Sequence, residues 1–313
     1  MDAIVAIALN TFREAVRDRV LYAMLFFALG LILFSLVLGQ IADREQLRLT
    51  VDVGLGGISL MAVLVAIVLG VSNLYKELDR KTVYFILPMP IARWQFLVGK
   101  FAGMVWVLAV TVAVMAGTLL TVMCWPNEEA QSRVLLAGAT DVAVIIALAT
   151  SLRARPQLWP SLFAGWMLVS GSWLAHTAEA NLALVFQGSC LILTEAVVMA
   201  SIALLFSSFS TPFLSGILTF LVFVAGRELR WLDDLATRLH NPALHDVTRL
   251  VGAVFPNCYL FVPSVNVLEG RFLVTEFPMA PWVLVGNAAS YGAVYAAIVV
   301  GLSGIILWRR DFV

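Results

Sequence analysis

The sequence predicts an all-α integral membrane protein, a polytopic helical bundle, and three observations carry that prediction. Of its 313 residues 61% are hydrophobic and only 13% are charged, whereas a water-soluble domain carries roughly 25% charged residues. A soluble fold of this size has no way to hide so much apolar surface. The apolar residues fall in runs long enough to cross a bilayer core of about 30 Å, which takes about 20 helical residues, and a helix satisfies its backbone groups internally, as hydrocarbon demands. The charged residues gather between those runs. One shared apolar belt makes residues 1–313 a single transmembrane domain.

Arg13, Arg17 and Arg19 precede the first run, residues 20–42. That run is longer than the cleavable core of a signal peptide, about 7–15 residues, and is expected to stay as an anchor. Ahead of it Ile4, Ile7, Ala8, Thr11, Phe12 and Ala15 recur at helical spacing opposite Asn10, Arg13, Glu14 and Arg17. This pattern predicts an amphipathic helix within residues 1–19, lying in the headgroup plane, or else an extension of the first span. Residues 53–75, 101–125, 181–206 with one acid at Glu195, the shorter 211–226, and 282–308 complete six core spans.

Residues 135–178 hold two further apolar runs, separated by Arg153 and Arg155, with Asp141 in the first. They are expected to form an inserted hairpin, giving eight spans, because a turn with two arginines fits the positive-inside bias. The alternative is that both lie on the outer leaflet. The same bias orients the chain: Arg13, Arg17 and Arg19, then Lys76, Arg80, Lys81, Arg93 and Lys100, then Arg309 and Arg310 share one side if the N-terminus is inside. Both termini are therefore expected to be cytoplasmic, and residues 227–281 outside as short, partly re-entrant helices forming an external gate.

Residues 76–100 form a dense cytoplasmic loop. Val83, Ile86 and Leu87 share a face, and Pro88 and Pro90 stop the helix because proline lacks an amide donor and restricts its predecessor. A short rigid helix of this kind suits a contact in the groove of a soluble partner, which would pass its movement to the flanking spans; an ordinary orienting loop is the plainer alternative. Glu195 costs at least about 2.5 kcal/mol if it faces lipid, so it is expected to face protein or water, on a translocation path, at a subunit interface, or as a hydrogen-bonded structural acid. Asp141 either has a functional role or simply sits near the outer end of its helix.

Cys124, Cys190 and Cys258 have neither metal-ligand spacing nor an even count, so no zinc site or disulfide framework is suggested. His240, His245, Asp246 and Cys258 fit no tight metal motif. The net charge of +0 gives no basic face for nucleic acid. The sequence lacks HExxH, GxSxG and the GxxxxGK[ST] phosphate loop, so no enzyme and no bound cofactor is expected.

Against these readings, Glu77, Lys81, Thr82, Pro88, Arg93, Gly99 and Lys100 resemble, in order and spacing, the coupling-loop pattern of the permease subunits of ABC-2 exporters. The branch that includes nitrous-oxide-reductase maturation and gliding-motility permeases is the most similar. Residues 10–19 look like the family's elbow helix, and residues 203–210, Phe255-Pro256-Asn257 and residues 309–312 are further similarities; 126–178 departs from the pattern. The resemblance implies a permease subunit without ATPase activity of its own, two permeases side by side as homodimer or heterodimer, and a separate ABC ATPase holding ATP and Mg against Glu77, Lys81, Thr82, Pro88, Arg93 and Lys100. It implies export across a bacterial or archaeal inner membrane. The alternative is a membrane scaffold or assembly factor that moves nothing.

Overall fold

The computed structural model describes residues 2–41, 46–79, 93–152, 158–238, 255–262 and 281–309, with Thr248 and Gly252. Among them are nine α-helices, one 3-10 turn and no strand. They are α1 (Asp2–Val16), α2 (Arg19–Ile41), α3 (Gln46–Asp79), α4 (Arg93–Val122), α5 (Glu128–Ser151), α6 (Leu158–Thr177), α7 (Leu182–Ser207), α8 (Pro212–Arg238) and α9 (Pro281–Arg309), the turn being Cys258–Phe261. Six of the described helices are long and apolar enough to cross a membrane: α2, α3, α4, α5, α7 and α9. The chain is thus an all-α, multi-pass membrane protein.

The boundaries of α2, α7 and α9 fall where the apolar runs predict. Helices α3 and α4 overrun theirs. Helix α3 begins at Gln46 rather than near Val53 and runs for 34 residues, and α4 begins at Arg93 rather than Phe101. Backbone hydrogen bonding does not stop where hydrocarbon does, and long basic side chains near helix ends reach toward water, so Arg48 and Arg93 are compatible with helix. Helix α8 likewise runs past Gly226 to Arg238, so Arg227, which the sequence places in the outer region, sits on the helix of the fifth core span.

Small residues set the packing, as in membrane bundles generally. Helix α7 packs along α3 on one side and α9 on another. At Gly70 a side chain would collide with Ala203 and the backbone of α7, and Ser207 Oγ donates to the Val71 carbonyl. Helix α2 meets α3 through the stripe Ala28, Ile32, Ser35 and Gly39.

Helix α1 packs on α4. Gly99 and Gly103, spaced as GxxxG, admit the backbone of α1, where the Ile4 and Ala8 carbonyls lie 3.0 and 2.7 Å from the positions a Cβ would take. Phe12 is buried and stacks on Trp106 with ring centroids 4.7 Å apart. The apolar face expected to rest on lipid is thus largely turned to protein at Ala8, Thr11, Phe12 and Ala15, while Asn10 and Arg13 are exposed.

Helices α5 and α6 form a hairpin at the predicted place. Trp166 Nε1 and Ser170 Oγ of α6 both donate to Asp141 Oδ1 of α5, at 2.9 and 3.2 Å. Helix α6 then runs alongside α4 in the same direction: Trp106 Nε1 donates to Ser161 Oγ, and further along Gly117 and Gly171 face each other closely enough that a Cβ on Gly171 would lie 2.8 Å from the Gly117 carbonyl oxygen. It runs along α4 rather than across its end. Asp141 is therefore the fastener of the hairpin, and Asp141→Ala is expected to lower stability by about 1–3 kcal/mol, the cost of leaving the Trp166 indole without its acceptor, since Ser170 keeps the Met167 carbonyl. Asp141→Asn, which keeps an acceptor, should recover most of the melting temperature in detergent.

Candidate functional site

The middle of the bundle holds a polar cluster built by three helices. Ser59 is carried by α3 and Glu195 by α7, helices that run side by side. Each of the two residues lies about 20 Å from the start of its helix, at a rise of about 1.5 Å per residue. Both side chains are fully buried. Arg227 comes to the same level from α8. Ser59 Oγ donates to Glu195 Oε2 at 2.7 Å, and Arg227 Nη1 donates to Ser59 Oγ at 3.0 Å and pairs with Glu195 Oε1 at 3.4 Å. The guanidinium also lies over the Phe223 ring, 5.5 Å from its centroid. Glu195 is 0% exposed and the Arg227 side chain 25%, so one end of the pair is sealed and the other open.

Residues 255–262 come to this level. A Cβ on Gly226 would sit 2.5 Å from the Pro256 carbonyl oxygen and 2.8 Å from Cys258 Sγ, so glycine is what lets the turn approach α8. Phe261 is buried beside Tyr291 of α9, with ring centroids 6.1 Å apart, and Tyr291 Oη accepts from the Asn257 amide at 3.1 Å. Residues 255–262 therefore pack against α8 and α9 at the level of the ion pair. Cys258 is fully buried. Among the described residues no three His, Cys, Asp or Glu side chains gather as metal ligands; His240, His245 and Asp246 lie outside them.

The predicted coupling residues divide between helix ends and a segment outside the described residues. Glu77 is on the last turn of α3 and Arg93 is the first residue of α4, so the two helices flank residues 80–92, where Lys81, Thr82 and Pro88 fall. Lys100 is 2% exposed, within the bundle, with its Nζ 5.4 Å from the Phe96 ring centroid. Of the elbow residues, Asn10, Arg13 and Arg17 are exposed and Glu14 is half-buried.

Arg227 is the site residue that sequence reasoning misses. The signal was present: the run 211–226 gives only about 24 Å of helix, short of a core of about 30 Å, so a crossing helix has to continue through Arg227.

No curated protein matches the chain. The family model described as ABC-2 family transporter protein matches residues 5–226, which takes in nearly all of α1, then α2 to α7 with the α5–α6 hairpin, and the first part of α8. The similarities at Phe255-Pro256-Asn257 and at 309–312 lie beyond the match. A buried, charged cluster inside a bundle of apolar helices, preceded by an amphipathic helix on α4, is thus found in a chain that belongs to the ABC-2 transporter family.

Proposed function

We propose that the chain is the permease subunit of an ABC-2 exporter, driven by ATP hydrolysis on a separate ABC ATPase that binds ATP and Mg. In this reading all eight helices from α2 to α9 cross a bacterial or archaeal inner membrane with both termini cytoplasmic. Two permeases stand side by side, and residues 76–100 seat on the ATPase through Glu77, Lys81, Thr82, Pro88 and Arg93, with Lys100 anchoring the root of α4. The observation that carries the reading, beyond family membership, is that α3 is continuous from Glu77 to Ser59. Movement imposed at the loop therefore has a rigid route to the buried ion pair, which lies on the path or closes it from within.

Co-purification of the tagged chain with the ATPase encoded nearest to it tests the reading. Wild type is expected to hold the ATPase, and the Glu77→Ala/Arg93→Ala double variant to lose at least nine-tenths of it while keeping its melting temperature. Absence of any complex with wild type, while other membrane partners are retained, would instead assign the chain a scaffold role.

A further inference from the structure

Between α4, α7 and α9 the surface opens into a groove of about 1090 Å3, just above the range in which proteins hold small ligands, about 300–1000 Å3. Its walls include Trp94, Phe101 and Val105 of α4, Val197 of α7, and Ala297 and Gly301 of α9, and apart from the Trp94 indole no lining side chain carries a polar atom. The small residues of α9 create the space: a Cβ on Gly301 would meet nothing within 4 Å.

The groove has two unlike ends. Leu97 approaches the Gly304 position to 3.6 Å, which puts Trp94 and Ile305 at one end. From there it runs to Val105 on α4 and Ala293 on α9. That is a length of roughly 17 Å, at a rise of about 1.5 Å per residue. It stops there because α9 closes on α7, Gly292 against Thr194. The groove is little more than half as long as a hydrocarbon core of about 30 Å, so it is one leaflet deep. A second spanning helix would need the full depth.

The helix ends at the Trp94 mouth carry basic residues in the sequence. Arg93 begins α4 and Arg309 ends α9, Arg310 follows in the sequence, and neither helix contains an Asp or Glu; the first acid is Asp311. Trp94, 59% exposed at that end, is of the kind that settles at headgroup level. Apolar walls one leaflet deep with a cationic, aromatic mouth match one class of molecule.

We propose that this groove is a binding site for an anionic phospholipid, its acyl chains lying along Phe101, Ala297 and Gly301 and its phosphate at the basic roots of α4 and α9. Assignment to the cytoplasmic leaflet rests on the topology proposed above; the binding itself does not.

Native mass spectrometry of the delipidated full chain, titrated with phosphatidylglycerol or with phosphatidylcholine, tests the site. Wild type is expected to retain phosphatidylglycerol at least tenfold more tightly than phosphatidylcholine. Gly301→Phe, at a position where a Cβ meets nothing within 4 Å, is expected to fill the groove and weaken phosphatidylglycerol at least tenfold. Gly286→Phe, on the same helix at another open position, should bind as wild type does. Should Gly301→Phe fail to fold, Ala297→Leu decides by the same measure. Equal retention by the groove and control variants, or no preference between the two lipids, overturns the site. So does a groove variant that keeps the lipid but no longer associates with a second copy or the ATPase, which would make the groove a protein interface. ATPase capture is scored separately by co-purification, so failure of the lipid site leaves the permease reading standing and the reverse also holds.

Discussion

Replacing Arg227 by methionine is expected to lower the stability of the folded chain by about 3–5 kcal/mol, the usual effect of removing one partner from a buried ion pair. The cost arises from what remains. Glu195 is fully buried and would keep only the Ser59 hydroxyl, and an unmatched carboxylate in a low-dielectric interior has lost both its hydration and its counter-charge. Glu195→Gln alone is expected to do much less, because the amide oxygen still accepts from Ser59 while Arg227, a quarter exposed, keeps access to polar surroundings. The Arg227→Met/Glu195→Gln double variant should therefore be more stable than Arg227→Met alone, a non-additivity that thermal unfolding in detergent reads directly. If the double variant is as unstable as the sum of the two single changes, the pair is not a coupled unit.

Gly103→Leu is expected to have the second large effect. A side chain at this position would meet the Ala8 carbonyl oxygen at 2.7 Å and Thr11 Cβ at 2.7 Å, and neither a helix carbonyl nor a branched Cβ can turn aside. Overpacking of this kind costs about 1–3 kcal/mol. Here it can be relieved only by lifting α1 from α4, which would also unstack Phe12 from Trp106. Protease accessibility at Arg13 and Arg17 is the sensitive measure: cleavage should rise several-fold in Gly103→Leu and stay near wild type in Gly138→Leu, where open space surrounds the position.

Much of the architecture was readable from residue type and spacing. The runs that became α2, α7 and α9 were visible because unbroken apolar stretches of bilayer length have few alternatives. Helix ends were less visible at α3 and α4, where charged residues read as loop although the helix continues through them. Glu195 was visible as an acid in an apolar run, and its burial follows from the cost of exposing it to lipid. Its partner was not, since Arg227 stands 32 residues away, just past a glycine that looks like the end of a span. Gly99 and Gly103 illustrate a different loss: their GxxxG spacing was in plain sight, but one-dimensional text does not say that the helix they admit is α1. Asp141 likewise needed the antiparallel pairing of α5 and α6 before Trp166 and Ser170 could be named as its donors.

Helix α3 has no proline between Gln46 and Asp79, and its length has a mechanical consequence. Glu77 and Ser59 are about 27 Å apart along a single axis at about 1.5 Å per residue, so a tilt of about 5° at one would sweep the other through an arc of about 2 Å. A hydrogen bond of 2.7 Å between Ser59 and Glu195 does not survive a displacement of that size. Under such a tilt the rod would act as a lever with its load arm at the ion pair, and a tilt too slight to change the outline of the bundle would be enough to unfasten its centre.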